Sequence, residues 1–382
     1  MRIENKKWVQ AHFVDARMPE QSDFRLETST IDTEVLTDGQ VCFKTVFLSI
    51  DPYMRGMMNT GGSLYGPPRK IGDVMPAECV VQVAASKSDD WAVGDIAAGR
   101  FGWQTHAVVS PSELPHEFGL HKIVLPKGVP LEYAFGPLGM VGMTAWFGLT
   151  EICKPEAGKT LFVSSAAGAV GTLVVQIGKA LGLRVFGSCS TSKVHRVLAA
   201  GADGCVDYFG KDEQALTEEI KGLCGDQGID YYFDNTGGPV TGAVMANMNR
   251  HGIVSVCGQI HDYNAGADFY RTAKSPLIWA VVKSVRIEGF LVYQWASRFP
   301  EGIAAMSKLL REKKITMDFD IRDGIEHAPE MLMALLTSTR RAHGKTLVRC
   351  SEVDPTERPH LTNAQMKEYA HTVKHTFQRD SH

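Results

Sequence analysis

The sequence predicts an α/β protein: a β-rich unit whose last part comes from the end of the chain, and between its two parts a doubly wound parallel sheet. Three observations carry this. From Thr160 onward, short apolar runs alternate with stretches of helical periodicity, the pattern of parallel strands joined by crossover helices. Before about residue 130 there are short strand candidates broken by turn residues, with no long helical period. Beyond about residue 297 the chain resumes helices and ends in one further strand candidate.

In the first region the strand candidates are Val41–Ile50, Ala77–Val83 and Trp103–Val109, punctuated by Gly39, Gly61-Gly62, Pro67-Pro68, Gly72 and Gly94-Asp95. A partly open barrel is the expected form, and the turn-rich section 56–73 reads as a loop that covers a ligand. From Gly136 to Leu149 the chain is glycine-rich and then helical. Six strand candidates follow: Leu161–Val163, Arg184–Gly187, Cys205–Asp207, Ile229–Phe233, Ile253–Val256 and Ile287–Leu291. Helical patterns such as Glu213–Leu223 and Val240–Met248 lie between them. Helices are expected at Pro300–Lys313 and His327–Ser338 and a strand at Lys345–Arg349. Residues 1–130 plus 300–350 are therefore assigned to the β-rich unit and 131–299 to the parallel-sheet unit. Residues 351–382 form a polar extension in which Met366, Tyr369, Ala370, Val373 and Phe377 keep helical spacing, as in a surface helix.

The stretch Thr160 to Leu181 organises the rest. An apolar run leads into Ala166-Ala167-Gly168-Ala169-Val170-Gly171 and then into an amphipathic helix. Strand, glycine turn and helix together read as a dinucleotide-binding turn of the form A-x-G-x-x-G. A tight strand–helix turn in another α/β core is the plainer reading. Gly168 would let the backbone approach a pyrophosphate, Gly171 would let the helix pack on the strand, and the first free helix N–H groups would hold the phosphate charge.

A site for NAD usually carries Asp or Glu at the end of the second strand, where it holds the ribose 2′-hydroxyl. Here that end reads Gly187-Ser188-Cys189-Ser190-Thr191-Ser192-Lys193, without an acid. Hydroxyls such as Ser190, together with Lys193, suit a 2′-phosphate, which a carboxylate would repel. NADP(H) is therefore the expected cofactor.

Composition excludes other classes. Hydrophobic residues make up 44% and charged residues 22%, and the formal net charge is −3. Nothing favours a nucleic-acid or anionic-membrane partner. The start, Met1 to Lys7, lacks the apolar core of a signal peptide, and no apolar run approaches the ~18 residues of a membrane helix. Eight scattered cysteines without a C-x-x-C pair read as reduced thiols of a cytoplasmic protein. Catalytic zinc needs three converging ligands, but Leu48 to Gly56 has neither Cys nor His, and no His precedes Glu78 in Met75 to Cys79. His106, His116 and His121 read as surface or core histidines, and no metal is expected. No G-x-S-x-G elbow or G-x-x-x-x-G-K-[ST] loop is found.

Taken together, the motifs resemble the zinc-independent medium-chain dehydrogenase/reductase superfamily, and within it the prostaglandin reductase, alkenal double-bond reductase and curcumin reductase group. They are Asp51-Pro52-Tyr53-Met54-Arg55-Gly56, Gly139 to Ala145, Ala166 to Gly171, Asp234-Asn235-Thr236-Gly237-Gly238, Cys257 to Asn264 and Gly289-Phe290-Leu291-Val292. The resemblance covers roughly residues 5–350. It implies a GroES-like barrel catalytic domain with a Rossmann domain, NADPH as hydride donor to an activated C=C bond of a small unsaturated carbonyl compound, and a homodimer. Carried over by position, Lys193 and Tyr208 would bind the 2′-phosphate end, and Gly168, Ala169 and Val170 the pyrophosphate. Asn235, Cys257, Phe290, Leu291 and Val292 would line the nicotinamide side, with Met140 and Thr144 near the cofactor. Tyr263 and Tyr53 would reach the substrate, Tyr263 being the first candidate for the hydrogen-bond donor at its oxygen. Two departures stand out: Ala342 replaces the usual Asn before Gly344-Lys345, and His261-Asp262 precedes Tyr263. A redox-neutral double-bond isomerase, a quinone reductase and an NADPH-binding partner protein without turnover are the alternatives on the same fold.

Overall fold

A computed structural model describes residues 1–60, 69–114, 119–123, 125–126, 128–265, 275–337 and 344–353. The expectations for 61–68, Ala342 and the extension beyond 353 lie outside the described residues. The chain divides into two compact units.

The first unit holds Met1–Ala134, Asp320–Thr337 and the segment from Thr346. Its central strand, Val41–Ser49, pairs on one side with Cys79–Ser86. On the other side its first half pairs with His106–Val109 and its last residues with Leu347–Arg349. Ile96–Gly99 and His121–Lys122 extend the sheet beyond Cys79–Ser86. A separate antiparallel pair, Arg2–Gln10 with Phe24–Asp32, was not foreseen. It is tied in through the core, where Phe24 stacks on Trp103 with ring centroids 5.6 Å apart. The late part of the chain completes this core: Ala328, Met331, Leu332 and Val348 are buried with Trp8 and Phe43, and the Trp8 indole N–H donates to the Ile325 carbonyl at 2.8 Å.

The second unit holds Phe135–Phe319 with Gly344 and Lys345. Its six strands are all parallel, in the spatial order Gly204–Asp207, Arg184–Cys189, Thr160–Val163, Ile229–Asp234, Met248–Val256 and Arg286–Gly289. The six predicted strands are these six, within a few residues at their ends. The strand order reverses beside Thr160–Val163, which is where such sheets bind ligands at their carboxyl ends. Helices Ala169–Ala180, Glu213–Cys224 and Gly238–Ala246 are among the crossovers.

The boundaries differ from those expected of the sequence: residues 131–134 belong to the first unit, and residues 300–319 with Gly344 and Lys345 to the second. The cause at 300–319 is packing: helix Phe299–Arg311 lies on helix Met140–Phe147. A Cβ on Gly302 would stand 2.6 Å from the Met143 sulfur and 2.9 Å from the Phe147 ring, and Phe299 stacks on Phe147. Among the described residues no helix is long and apolar enough to cross a membrane.

Candidate functional site

The turn after Thr160–Val163 is built by close contacts. Ser165 takes a left-handed backbone, with φ 51°. The Ala166 N–H donates to the Ser188 carbonyl at 2.9 Å, tying the turn to the second strand. Gly168 caps helix Ala169–Ala180 without a side chain, so the first-turn N–H groups of Ala169, Val170 and Gly171 open the helix. Gly171 faces the turn: a Cβ there would lie 2.2 Å from the Ser165 carbonyl oxygen. Packing of the helix on the sheet falls instead to Gly178, where a Cβ would be 2.9 Å from Leu161 and 3.0 Å from Val185. The returning chain also touches this turn, because the Gly344 N–H donates to the Ala167 carbonyl at 3.3 Å. Gly344 has φ 63°, and a Cβ would stand 2.1 Å from the Asp318 oxygen, so only glycine fits.

At the carboxyl ends of the strands three hydroxyls are buried without a hydrogen-bond partner among the described residues: Ser188, Ser190 and Thr236. Buried polar groups are normally satisfied, so orphans along one sheet edge mark where a polar ligand would sit. Lys193 follows Ser190, donates its backbone N–H to the Ser190 carbonyl at 2.9 Å, and is half-buried. Burial pulls its ammonium below the usual lysine range, which an anion would reverse. Its neighbour Arg196 is committed to Asp318 at 2.8 Å. Tyr208 donates its N–H to the Cys189 carbonyl at 3.2 Å, and burial pushes its phenol up, keeping it a neutral donor. The nearby acid Asp207 is occupied by the Thr191 hydroxyl at 2.5 Å and the Phe209 N–H at 2.9 Å. These residues fit a phosphate-bearing cofactor.

Asp234, to which the sequence assigns no role, holds the next loop. It is buried, and its Oδ1 accepts from Tyr232 Oη at 2.8 Å, Ser164 Oγ at 3.1 Å and the Thr236 and Gly237 N–H groups at 2.9 and 3.0 Å. Its Oδ2 accepts from Thr241 at 2.7 Å. Asn235 is fixed in turn, its side chain donating to the Ser164 carbonyl at 2.8 Å. The Cys257 and Gly258 N–H groups both donate to the Asp234 carbonyl, at 2.8 and 3.1 Å. The Cys257 thiol is pushed up to about 12, first by burial and then by Asp234.

The Tyr263 hydroxyl lies over Gly258, 3.1 Å from where a Cβ would be. Met140 opens helix Met140–Phe147, and its sulfur accepts from the Tyr293 hydroxyl at 3.3 Å. Thr144 spends its hydroxyl on the Met140 carbonyl at 2.7 Å. Phe290 turns inward against Phe233 and Trp295, Val292 is buried, and Leu291 between them is 53% exposed. Tyr53 stands in the first unit, on the 3-10 segment Pro52–Met58, packed against that unit's core. Among the described residues no group of three His, Cys, Asp or Glu side chains could hold a metal ion.

A parallel sheet in this order, with a small-residue helix-opening turn and unsatisfied hydroxyls along its carboxyl edge, defines a dinucleotide-binding unit. Comparison with known proteins narrows this. Residues 6–116 match the model of the N-terminal domain of oxidoreductase, and residues 169–308 match that of zinc-binding dehydrogenase. The chain is 36% identical to the NADPH-dependent curcumin reductase of Escherichia coli (strain K12), over 92% of this chain and 98% of that one. It is 34% identical to the 2-alkenal reductase (NADP(+)-dependent) of Nicotiana tabacum, over 91% and 98%. Among solved structures, CurA from Vibrio vulnificus in complex with NADPH superposes with a TM-score of 0.80 at 32% identity, covering 91% of this chain and 99% of that one. The chain belongs to the medium-chain dehydrogenase/reductase superfamily, in the group of curcumin, alkenal and prostaglandin reductases, and is an oxidoreductase.

Proposed function

We propose that this protein is an NADPH-dependent double-bond reductase that delivers hydride to the β-carbon of an α,β-unsaturated carbonyl compound. The observation that carries the cofactor choice is the edge formed by Ser188, Ser190 and Lys193: hydroxyls orphaned among the described residues and a half-buried ammonium, with no acid between Gly187 and Lys193. The reaction class is supported by relatives of nearly the same length named for reducing curcumin, 2-alkenals and prostaglandins.

Bound NADPH supplies the hydride. The chain's own residues do the rest. Lys193, Ser190 and Tyr208 would hold the 2′-phosphate by charge-assisted hydrogen bonds. The helix-opening N–H groups of Ala169 and Val170 would hold the pyrophosphate. As hydride reaches the β-carbon, negative charge moves onto the carbonyl oxygen, which needs a donor there, and the enolate so formed would take a proton from water at its α-carbon to give the saturated product. A neutral phenol can donate there without ionising first, and Tyr263 is assigned this role, with Tyr53 as second candidate. Cys257 stays a neutral thiol, so an electrophilic alkene beside it does not meet a thiolate.

A second copy of the chain is the proposed partner. Strand Arg286–Gly289 ends the sheet with all its residues exposed. Helix Leu277–Lys283, which packs on the neighbouring strand Met248–Val256, exposes Leu277, Ile278, Val281 and Val282, an apolar strip that a second copy would cover together with a sheet edge unpaired among the described residues. The activity is tested by following NADPH oxidation with enals, enones and quinones and measuring product mass. A gain of two hydrogens on the alkene is expected. A product of unchanged mass would make the protein an isomerase, and activity on quinones alone would make it a quinone reductase.

A further inference from the structure

His261 and Asp262 stand immediately before Tyr263, on the 3-10 segment Ile260–Asp262. The His261 Nδ1 lies 2.8 Å from Asp262 Oδ1. The imidazole is 54% exposed and the carboxylate 15%. Their seat is the turn that opens helix Gly238–Ala246. Gly237 and Gly238 are consecutive left-handed residues, with φ 70° and 60°. A Cβ on Gly238 would stand 2.6 Å from the His261 ring, and one on Gly237 3.2 Å from Asp262 Oδ2. Two adjacent residues without side chains thus receive the two members of the pair.

The seat itself is rigid, because Asp234 accepts from the Thr236 and Gly237 N–H groups. Within the loop above it the Asp262 N–H donates to the Gln259 carbonyl at 3.0 Å and the Ala265 N–H to the Asp262 carbonyl at 2.9 Å, while other backbone bonds there are unequal in length. The Ile260 N–H reaches the Asn235 carbonyl at 3.4 Å and the Tyr263 N–H reaches Ile260 at 3.4 Å, against 3.0 Å from His261 to Thr236. Bonds at 3.4 Å lie beyond the ordinary N–H···O range. The short grip on the seat is therefore at His261, through its backbone and its ring, locked by Asp262. The next residue is the one whose hydroxyl lies over Gly258.

We propose that His261 and Asp262 are a positioning pair: seated on Gly237-Gly238, they fix the Tyr263 hydroxyl over Gly258. The proposal rests on the reading of Tyr263 as donor to the substrate oxygen. An imidazole carrying its proton at Nδ1 donates to a carboxylate whether or not Nε2 is also protonated. A positioning role therefore asks no proton transfer of the pair.

The test uses the full chain with NADPH and a simple enone, and the variants H261A, H261N, Y263F and H261A/Y263F. H261A is expected to lower kcat about tenfold, the scale of a sub-ångström misplacement of a catalytic group, with NADPH affinity within about twofold because the phosphate contacts are untouched. H261N, which can still donate to Asp262, is expected to recover most of the loss. On the Y263F background H261A is expected to cost nothing further. Amide hydrogen exchange over 259–265 is expected to rise in H261A and return in H261N. Unchanged exchange in H261A, an undiminished loss on the Y263F background, or a kcat titration between about pH 5 and 8 that vanishes in H261N would overturn the proposal. If Y263F alone leaves kcat unchanged, the donor assignment falls, while raised exchange in H261A still upholds the positioning.

Discussion

Replacing Lys193 with Ala is predicted to separate NADPH from NADH binding. The ammonium is half-buried and lies three residues after the orphaned Ser190, and its neighbour Arg196 is held by Asp318 at 2.8 Å. A hydrogen bond to a charged group contributes about 1.5–3 kcal/mol, and every 1.4 kcal/mol is about tenfold in Kd. K193A should therefore weaken NADPH binding about 10- to 150-fold and leave NADH, which lacks the 2′-phosphate, within about twofold. The pH dependence has a definite sign. Burial lowers the Lys193 value from 10.5 in the free protein, and a bound phosphate favours the charged form. NADPH affinity is thus full well below the lowered value and falls as pH rises through it. It also falls below about pH 6, where the phosphate takes up its second proton. K193A should lose the alkaline limb and keep the acid one. Cofactor fluorescence titrations at several pH values measure this. Equal losses for NADPH and NADH, or no loss for NADPH, would refute the assignment of this edge to the 2′-phosphate.

Three further outcomes follow from the same geometry. D234N should destabilise the protein by about 3 kcal/mol in chemical denaturation, because a buried carboxylate accepting from five donors is replaced by an amide that presents N–H groups to some of them; an unchanged midpoint would count against its role as anchor. G171A, whose Cβ would sit 2.2 Å from the Ser165 oxygen, should fold poorly, whereas G168A, with neighbours at 3.0 and 3.2 Å, should fold and bind NADPH about tenfold more weakly; melting curves and titrations separate the two. V281E, at a position 74% exposed, should convert a particle of twice the chain mass to a monomer in light scattering, and a wild-type monomer would remove the proposed partner.

Much of the second unit was legible because its information is local. Apolar runs such as Leu161–Val163 and the helical spacing that follows Gly168 report a strand and a helix by period alone. The absence of an acid between Gly187 and Lys193 is likewise readable along the chain. What was not legible depends on contacts between distant residues. Asp234 reads as one more polar residue until Ser164, Tyr232 and Thr241 converge on it. Gly171 was expected to meet the strand, but Gly178 does so, because Gly171 is already pressed against the turn. Helix Phe299–Arg311 reads as part of the returning chain until Gly302 against Met143 and Phe147, and Phe299 against Phe147, assign it to the parallel-sheet unit. The pair Arg2–Gln10 and Phe24–Asp32 escaped notice because its register depends on pairing across an intervening segment. Gly344 was visible in a Gly-Lys pair, but its need for glycine comes from the Asp318 oxygen.

The most direct test of the central claim is the fate of a labelled hydride. The protein is given NADPH carrying deuterium at the transferable position of the nicotinamide and a simple α,β-unsaturated ketone, and the product is analysed by mass and NMR. A saturated ketone with one deuterium, located at the former β-carbon, is expected. Deuterium at the carbonyl carbon of an allylic alcohol, or an unlabelled product of the substrate's own mass, would contradict that claim.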